Sequence, residues 1–344
     1  MPPEATPPVK PWYTQPLVWV GFVISGLAVA TFLWLFDARE VYRSLASLEA
    51  WVLAPGVAAI LAAFMARSAR WRLLLRPVDD IPLGQVRDVL MTGFMVNNVL
   101  PARAGELARA LVLWKVAGTS RRATLATIAT ERMFDVLLLV GMLATLGLLF
   151  EVPAWTRQLG MATVVLLGGL CAGVVWMAAH HRSLFWVARQ LLVFLPAPRR
   201  DKVLAFMERF VDGTRALRDA SLTARVLGLS AVIWALEVGA YYAVMHGLHI
   251  DLPLWAAALT VVVANFGIAA PSAPGYVGVF DAACSTALIA LGVGKELALS
   301  YAIAVHLMLY VTVTGTGLLA MWHLELSLSE VVKQARVGDD GEAA

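Results

Sequence analysis

The sequence predicts an all-α polytopic membrane protein with about six full spans and two oppositely oriented re-entrant helical hairpins, arranged as an inverted repeat. The 344-residue chain is 60% hydrophobic, and its mean hydropathy is +0.75. Charged residues make up 15% of it, against roughly 25% in soluble domains. Several apolar runs reach the ~20 residues that a helix needs to cross a hydrocarbon core. Lysine and arginine are concentrated between certain runs, and this distribution orients them.

Six apolar runs have the length of a membrane span. In chain order they are Leu17–Phe36, Trp51–Ser68, Thr127–Phe150, Gly160–Ala179, Val226–His246 and Ala298–Trp322. Residues 17–322 are therefore predicted to form a single transmembrane domain. The proline-rich residues 1–16 lack the basic stretch and cleavage site of a signal peptide and are predicted to be a disordered tail. Residues 323–344 are predicted to be a cytoplasmic tail.

Two further apolar regions are interrupted by proline and glycine. Residues 86–114 contain one interruption, and residues 254–291 contain another. Since proline ends the helix that precedes it and glycine relaxes the backbone, each region is either a pair of half-helices or a pair of short spans. The residues predicted to break the helices are Pro101, Gly105, Pro271, Pro274, Gly275 and Gly278.

The basic residues favour re-entrant hairpins over paired spans. Arginines at 67, 70, 72 and 76 place the end of the second span in the cytoplasm, and Lys115, Arg121 and Arg122 return the first broken region to that side. Residues 181–225 are basic and amphipathic and are predicted to lie on the inner leaflet. Residues 247–253 have no lysine or arginine, so the second broken region opens to the other side. Both termini are then cytoplasmic. Inverted repeats with discontinuous helices are typical of secondary transporters, whose binding site lies between the repeats.

Ionisable side chains inside apolar segments mark the candidate site, because each costs roughly 2.5–3.5 kcal/mol at the bilayer centre on insertion scales. We expect an anionic head group to be bound by Arg103, Arg109 and Arg132, together with Asn98 and Tyr276. A helix N-terminus after Pro101 would add amide donors. Charge balance or proton coupling is expected from Glu106, Glu131, Asp135, Glu237, Asp281 and His306.

Structural roles remain open for several of these residues. Arg103 and Glu106 would then form a local ion pair that holds the break together. Glu131 and Asp135, four residues apart on one helical face, would sit at the membrane interface. Glu237 would be a neutral, hydrogen-bonded carboxyl, and His306 would be a packing residue.

Three ordered motifs resemble the flippase-like transmembrane domain of the lysylphosphatidylglycerol synthases. They are Asn98 with Pro101–Arg109, then Glu131–Asp135, then Pro271–Asp281. The resemblance extends over residues 17–322 and implies a domain that moves a lipid with a charged head group across the inner membrane. The chain is similar to stand-alone members that lack the aminoacyl-transferase domain. Asp281 stands where relatives commonly have glutamate, and His306 where an arginine is expected.

The sequence therefore predicts a lipid transporter or flippase of the cell inner membrane, with no catalytic residue, cofactor or metal. Its expected partners are the bilayer and a membrane lipid, such as a phospholipid or a polyisoprenoid-linked lipid, and a homodimer is a possible assembly. Nucleic acid is not an expected partner, since the basic run carries no recognition motif. Two alternatives stay open: a membrane-embedded transferase acting on a lipid-linked sugar or phosphate, and an accessory subunit.

Overall fold

The structure is a computed structural model that describes residues 16–48, 50–100, 104–150, 219–270 and 272–326, and the statements below concern these residues. They form α-helices and short 3-10 turns without strands. In chain order the α-helices are α1 (Pro16–Leu35), α2 (Ala38–Ala46), α3 (Ala54–Leu75), α4 (Leu83–Val99), α5 (Gly105–Ala117), α6 (Arg121–Leu149), α7 (Ala220–Gly247), α8 (Leu254–Gly267), α9 (Val279–Ile289) and α10 (Lys295–His323).

Four of these helices are long and apolar enough to cross a membrane. They correspond to α3, α6, α7 and α10, and a fifth candidate is α1 with α2, which are bent by 93° relative to each other. These elements contain five of the six predicted spans. The remaining predicted span, residues 160–179, and the amphipathic region 181–225 up to residue 218 lie outside the described residues. The helix α3 continues seven residues beyond the predicted end at Ser68, because Arg67 and Arg70 are paired inside the protein and do not mark its end.

Each of the two interrupted regions contains two short helices. We call α4 with α5 the first broken pair and α8 with α9 the second broken pair. Their helices have 17, 13, 14 and 11 residues, all shorter than the ~20 residues of a full span. The first break follows Leu100, whose backbone is extended. The second contains Gly275 and Gly278, with φ of 70° and 81°, a region that favours glycine. Pro101 and Pro271 lie outside the described residues.

The order and packing of the helices repeat along the chain. A long helix, a broken pair and a second long helix occur as α3 to α6 and again as α7 to α10. In both sets the short helices pack on each other and on the long helices beside them. The two sets also pack across one another: α3 lies along α7, α4 contacts α10 and α8 contacts α6. Together they enclose a large hydrophobic core, and a smaller apolar cluster contains Leu74, Phe134 and Val226.

Glycine allows two of these contacts to be close. In the first broken pair, a Cβ on Gly105 would overlap the carbonyl oxygen of Gly93, and the Gly105 N–H donates to Asn97 Oδ1 at 2.7 Å. At the crossing of α4 and α10, a Cβ on Gly317 would overlap the Met95 side chain and lie 2.9 Å from the Met91 carbonyl oxygen. Small residues let helix backbones approach in this way in membrane proteins.

We therefore expect Gly317→Ala to destabilise the α4–α10 crossing by about 1–3 kcal/mol, the usual cost of overpacking. Thermal unfolding in detergent measures the effect. The matched control is Gly315→Ala on the same helix, where a Cβ meets nothing within 4 Å. Equal melting temperatures for the two variants would contradict the close crossing.

Candidate functional site

Arg70 lies at the centre of a buried group of charged side chains. It is on α3, and its side chain is fully buried. Its Nη1 donates to Asp135 Oδ1 at 2.6 Å and to Ser230 Oγ at 2.8 Å. Its Nη2 donates to Glu131 Oε1 at 3.0 Å. The planar guanidinium thereby joins α3 to α6 and α7.

Arg109 brings the first broken pair into the same group. Its Nη2 donates to Glu131 Oε2 at 2.8 Å, so the two oxygens of Glu131 accept from two different arginines. The guanidinium carbon of Arg109 lies 3.9 Å from the ring centre of Trp71. Trp71 is itself held by a 3.1 Å hydrogen bond from Nε1 to Thr127 Oγ1. Arg109 is 3% exposed and Glu131 is fully buried, so this pair is almost as enclosed as the pair of Glu131 with Arg70.

Two more arginines complete the group at its edges. Arg67 pairs with Glu237 of α7 and lies 3.9 Å from Asp135. Arg132 lies 3.3 Å from Asp135, and its side chain is 39% exposed. We refer to the whole set as the ion network; it consists of Arg67, Arg70, Arg109, Arg132, Glu131, Asp135 and Glu237.

The ion network contains four cations and three anions, which compensate one another over four helices, α3, α5, α6 and α7. Removing a charge from water is costly, so a buried arginine or carboxylate remains stable only while its partners are in place. Glu106 of α5 lies close enough to Arg109 and Arg132 to interact with them electrostatically. The network therefore holds the first broken pair against the helices on either side of it.

A second polar cluster joins the second broken pair to α10. His306 Nδ1 lies 3.0 Å from Asp281 Oδ1, and His306 Nε2 lies 2.7 Å from the Gly275 carbonyl oxygen. The other oxygen of Asp281 accepts from the Gly278 N–H at 3.0 Å. The Phe280 ring packs 4.7 Å from the imidazole, centre to centre. We call Asp281 and His306 the dyad.

The geometry of the dyad requires a proton between its two members. A carbonyl oxygen only accepts, so the hydrogen bond to Gly275 needs a proton on Nε2 of His306. The contact between Nδ1 and Asp281 then needs a further proton, either on the imidazole or on the carboxyl group. The dyad is thus either an imidazolium with a carboxylate or a neutral imidazole with a carboxylic acid.

The helix before the first break contacts the second break. The helix α4 contacts the 3-10 turn Pro274–Tyr276 of the second break. A Cβ on Gly275 would lie 3.4 Å from the Asn98 carbonyl oxygen and 2.9 Å from the Tyr310 ring. The Asn98 amide donates to Thr314 Oγ1 of α10 at 3.1 Å. Tyr276 has a positive φ of 62° and lies in the same turn.

The predicted site residues thus fall into two groups. The structure brings Arg109, Arg132, Glu131, Asp135 and Glu237 together in the ion network. Asn98, Tyr276, Gly275, Asp281 and His306 lie at or beside the dyad. Arg103 lies outside the described residues. Arg109 and Arg132 are each paired with a carboxylate, in keeping with the charge balance expected from Glu131 and Asp135.

Sequence reasoning missed two members of the network, Arg67 and Arg70, because it used them only as markers of a cytoplasmic helix end. Arg72 and Arg76, the other two arginines at this helix end, lie near the surface, whereas Arg67 and Arg70 are buried. Their spacing was an available signal, since residues three apart share a helical face, as do Glu131 and Asp135. Within the described ranges, no group of three His, Cys, Asp or Glu side chains is arranged to hold a metal ion.

Because Glu131 neutralises two buried arginines, we expect Glu131→Gln to destabilise the protein by about 3–5 kcal/mol, the cost of leaving a buried charge without its partner. The measurement is thermal unfolding in detergent. Asp80→Asn is the matched control: Asp80 pairs with Arg72 at 3.2 Å but is 75% exposed, and we expect it to cost no more than about 1 kcal/mol. A small and equal effect of both changes would mean that the network is not an essential part of the fold.

Two known proteins are similar in sequence to most of this chain. A protein of Methanothermobacter thermautotrophicus described as a UPF0104 membrane protein is 25% identical over 324 residues, which cover 87% of this chain and 92% of that protein. Glycosyltransferase AglD of Haloferax volcanii is 25% identical over 370 residues, which cover 97% of this chain but 59% of that protein. This chain therefore spans less than two thirds of the second relative.

The family comparison tests the resemblance seen in the three motifs. The model of the family described as the lysylphosphatidylglycerol synthase TM region matches residues 18–317. The matched region includes most of α1, most of α10 and the described helices between them, and with them both broken pairs, the ion network and the dyad. The resemblance is confirmed: the chain belongs to the family of the lysylphosphatidylglycerol synthase transmembrane region.

Proposed function

We propose that this protein is a lipid transporter, or flippase, that moves a lipid with an anionic or charged head group between leaflets by alternating access. The observation that carries the proposal is a pair of equivalent contacts in the two halves. In each half, the second helix of the broken pair carries one ionisable residue that binds an ionisable residue of opposite charge type on the next long helix. These contacts are Arg109 with Glu131 and Asp281 with His306.

The two contacts occupy similar positions in their helices. Arg109 is the fifth residue of α5 and Glu131 the eleventh of α6; Asp281 is the third of α9 and His306 the twelfth of α10. In the first half the short helix carries the basic residue and the long helix the acid, and in the second half the short helix carries the acid and the long helix the basic residue. Such a match supports two structural repeats. The distribution of basic residues favours opposite orientations for them, in which the broken pairs are re-entrant hairpins and the site lies between them. With this orientation both termini are cytoplasmic.

The two contacts also differ in exposure, as alternating access requires. The side chains of Arg109 and Glu131 are 3% and 0% exposed, whereas those of His306 and Asp281 are 15% and 10% exposed and line a cavity. One site is closed while its counterpart is accessible. In the opposite state the ion network would separate, and Arg109 and Arg132 would become available to a phosphate, which arginine binds well. The proton held by the dyad is a candidate for coupling.

The second candidate function is a membrane-embedded transferase acting on a lipid-linked sugar or phosphate. The name of the Haloferax volcanii relative supports it. However, that relative extends well beyond the region shared with this chain, so its name does not assign glycosyl transfer to the shared region. The arrangement of carboxylates also favours transport, because Glu131 and Asp135 are engaged by arginines and are not placed for metal or base chemistry.

The two candidates are separated by reconstituting the full chain into vesicles that contain a fluorescent phosphatidylglycerol and adding an impermeant quencher. A transporter makes inner-leaflet lipid accessible to the quencher, while the lipid recovered from the vesicles is chemically unchanged. A new lipid product formed only with a nucleotide-sugar donor would instead establish a transferase. Unchanged lipid that stays in its leaflet would contradict both.

We expect Asp281→Asn to lower the transport rate roughly tenfold or more, because the lost charge-assisted hydrogen bond is worth about 1.5–3 kcal/mol. The matched control is Asp88→Asn. Asp88 is on the first broken pair, and its exposed fraction is 8%, close to the 7% of Asp281. It is also paired with basic side chains, those of Arg87 and His323. The rate is compared at equal amounts of folded protein, measured by size-exclusion chromatography. Equal rates for the two variants would show that the dyad has no part in transport.

A further inference from the structure

We infer that the cavity beside the dyad holds one acyl chain of a bilayer phospholipid. This inference rests on the proposed function and identifies where the tail of the transported lipid lies. The cavity has a volume of about 550 Å³, within the range of roughly 300–1,000 Å³ that is usual for ligand sites. Most of its lining residues belong to α1, α2 and α10, and none belongs to the ion network.

The walls of the cavity are hydrocarbon. The helix α1 supplies Phe32 and Leu33, α2 supplies Leu45, and α10 supplies Ile303 and Leu307. Its ionisable groups are the dyad and two tyrosines. The dyad is internally satisfied, since both ring nitrogens of His306 and both oxygens of Asp281 already have partners. A ligand that presents methylene groups fits this lining better than a polar one.

The cavity is bordered by exposed side chains of helices that we place in the membrane. Three of its lining residues are largely exposed: Leu33 at 74%, Tyr42 at 71% and Leu307 at 56%. The neighbouring surface of α1 is apolar too, with Trp34 at 84% exposure. Because α1 and α10 are both candidate membrane-crossing elements, their outer faces at this depth meet acyl chains.

The length of the cavity matches one leaflet. Its lining residues on α10 extend from Leu299 to Tyr310, a distance of roughly 17 Å at 1.5 Å per residue. Half of the ~30 Å hydrocarbon core is about 15 Å. Leu299 is near the start of α10 and Tyr310 near its middle. A chain in this cavity would therefore run from one membrane surface to the midplane, where the dyad lies.

The surface end of the cavity has the composition of an interfacial region. The helix α2 turns by 93° from α1, buries Val41 against α10 and keeps Arg39, Glu40 and Arg43 exposed. Lys295 donates to the Leu35 carbonyl oxygen at 2.7 Å and pairs with Glu296. The charged side chains at this end are three basic ones, Arg39, Arg43 and Lys295, and three acidic ones, Asp37, Glu40 and Glu296. This mixture suits the head-group layer, where amphipathic helices lie. The head group of the bound lipid would sit at this end.

Photolabelling tests the inference. The full chain is reconstituted into vesicles of phosphatidylcholine and phosphatidylglycerol that include a phospholipid with a diazirine in one acyl chain, and adducts are mapped by peptide mass spectrometry after illumination. We expect adducts to be several-fold more frequent in peptides that line the cavity than at Leu318 and Leu319 of the same helix, which are 54% and 58% exposed. Equal labelling of both regions, or none in the cavity, would overturn the inference.

Two matched variants make the test specific. Leu307→Trp fills the cavity and should reduce cavity labelling several-fold, whereas Leu319→Trp makes the same change on the open face of α10 and should leave it unchanged. Both variants are checked for folding by size-exclusion chromatography. If Leu307→Trp folds and is labelled normally, the chain does not lie in the cavity. Displacement of the label by a small proportion of unlabelled polyisoprenyl phosphate would overturn the assignment to a phospholipid.

The same vesicles distinguish this inference from the proposed function. Cavity labelling without movement of lipid between leaflets would refute the transporter and leave the lipid site in place. Movement of lipid that is unaffected by Leu307→Trp, with no cavity labelling, would refute the site and leave the transporter.

Discussion

The pairing of buried charge is the constraint on which the rest of this structure depends. Arg70 and Glu131 are fully buried, and in an apolar environment neither would be stable without its partners. Each therefore requires a second and a third helix to be in place. The ion network thus fixes the mutual positions of α3, α5, α6 and α7, although hydrophobic contacts supply most of the buried surface.

The same constraint explains why the two broken pairs differ. At the first, the cation and the anion are enclosed by Trp71 and further arginines, so separating them requires several interactions to break together. At the second, the dyad is held mainly by its own members and by Gly275 and Gly278, and it borders a cavity. Two contacts in equivalent positions thus combine one strongly held and one accessible site. This asymmetry is the physical basis of the transport mechanism proposed above.

The apolar cavity and the ion network have complementary roles in that mechanism. A lipid has one part that is stable in hydrocarbon and one that is not, and only the polar part needs shielding on its way between leaflets. In the proposed mechanism a lateral opening would let the acyl chain remain among other chains, and the buried arginines, once separated from their carboxylates, would supply the compensating charge that a phosphate needs in the membrane interior. A protein that met only one of these needs would bind lipid without moving its head group.

The sequence by itself determined the membrane class, the approximate positions of the candidate membrane-crossing helices that the structure describes, and both interruptions of the apolar regions, because apolar length, proline and glycine act locally on the backbone. The motifs carrying Arg109, Glu131, Asp135 and Asp281 also identified the family. Only the tertiary structure decided which charges meet. From the sequence, Arg67 and Arg70 are interpreted as residues at a cytoplasmic helix end, yet they bind carboxylates 61 to 170 residues away along the chain. Asp281 contacts His306 on the following helix. Helix packing determines which charged residues become partners. The order of charges along the sequence does not show which helical faces will contact one another.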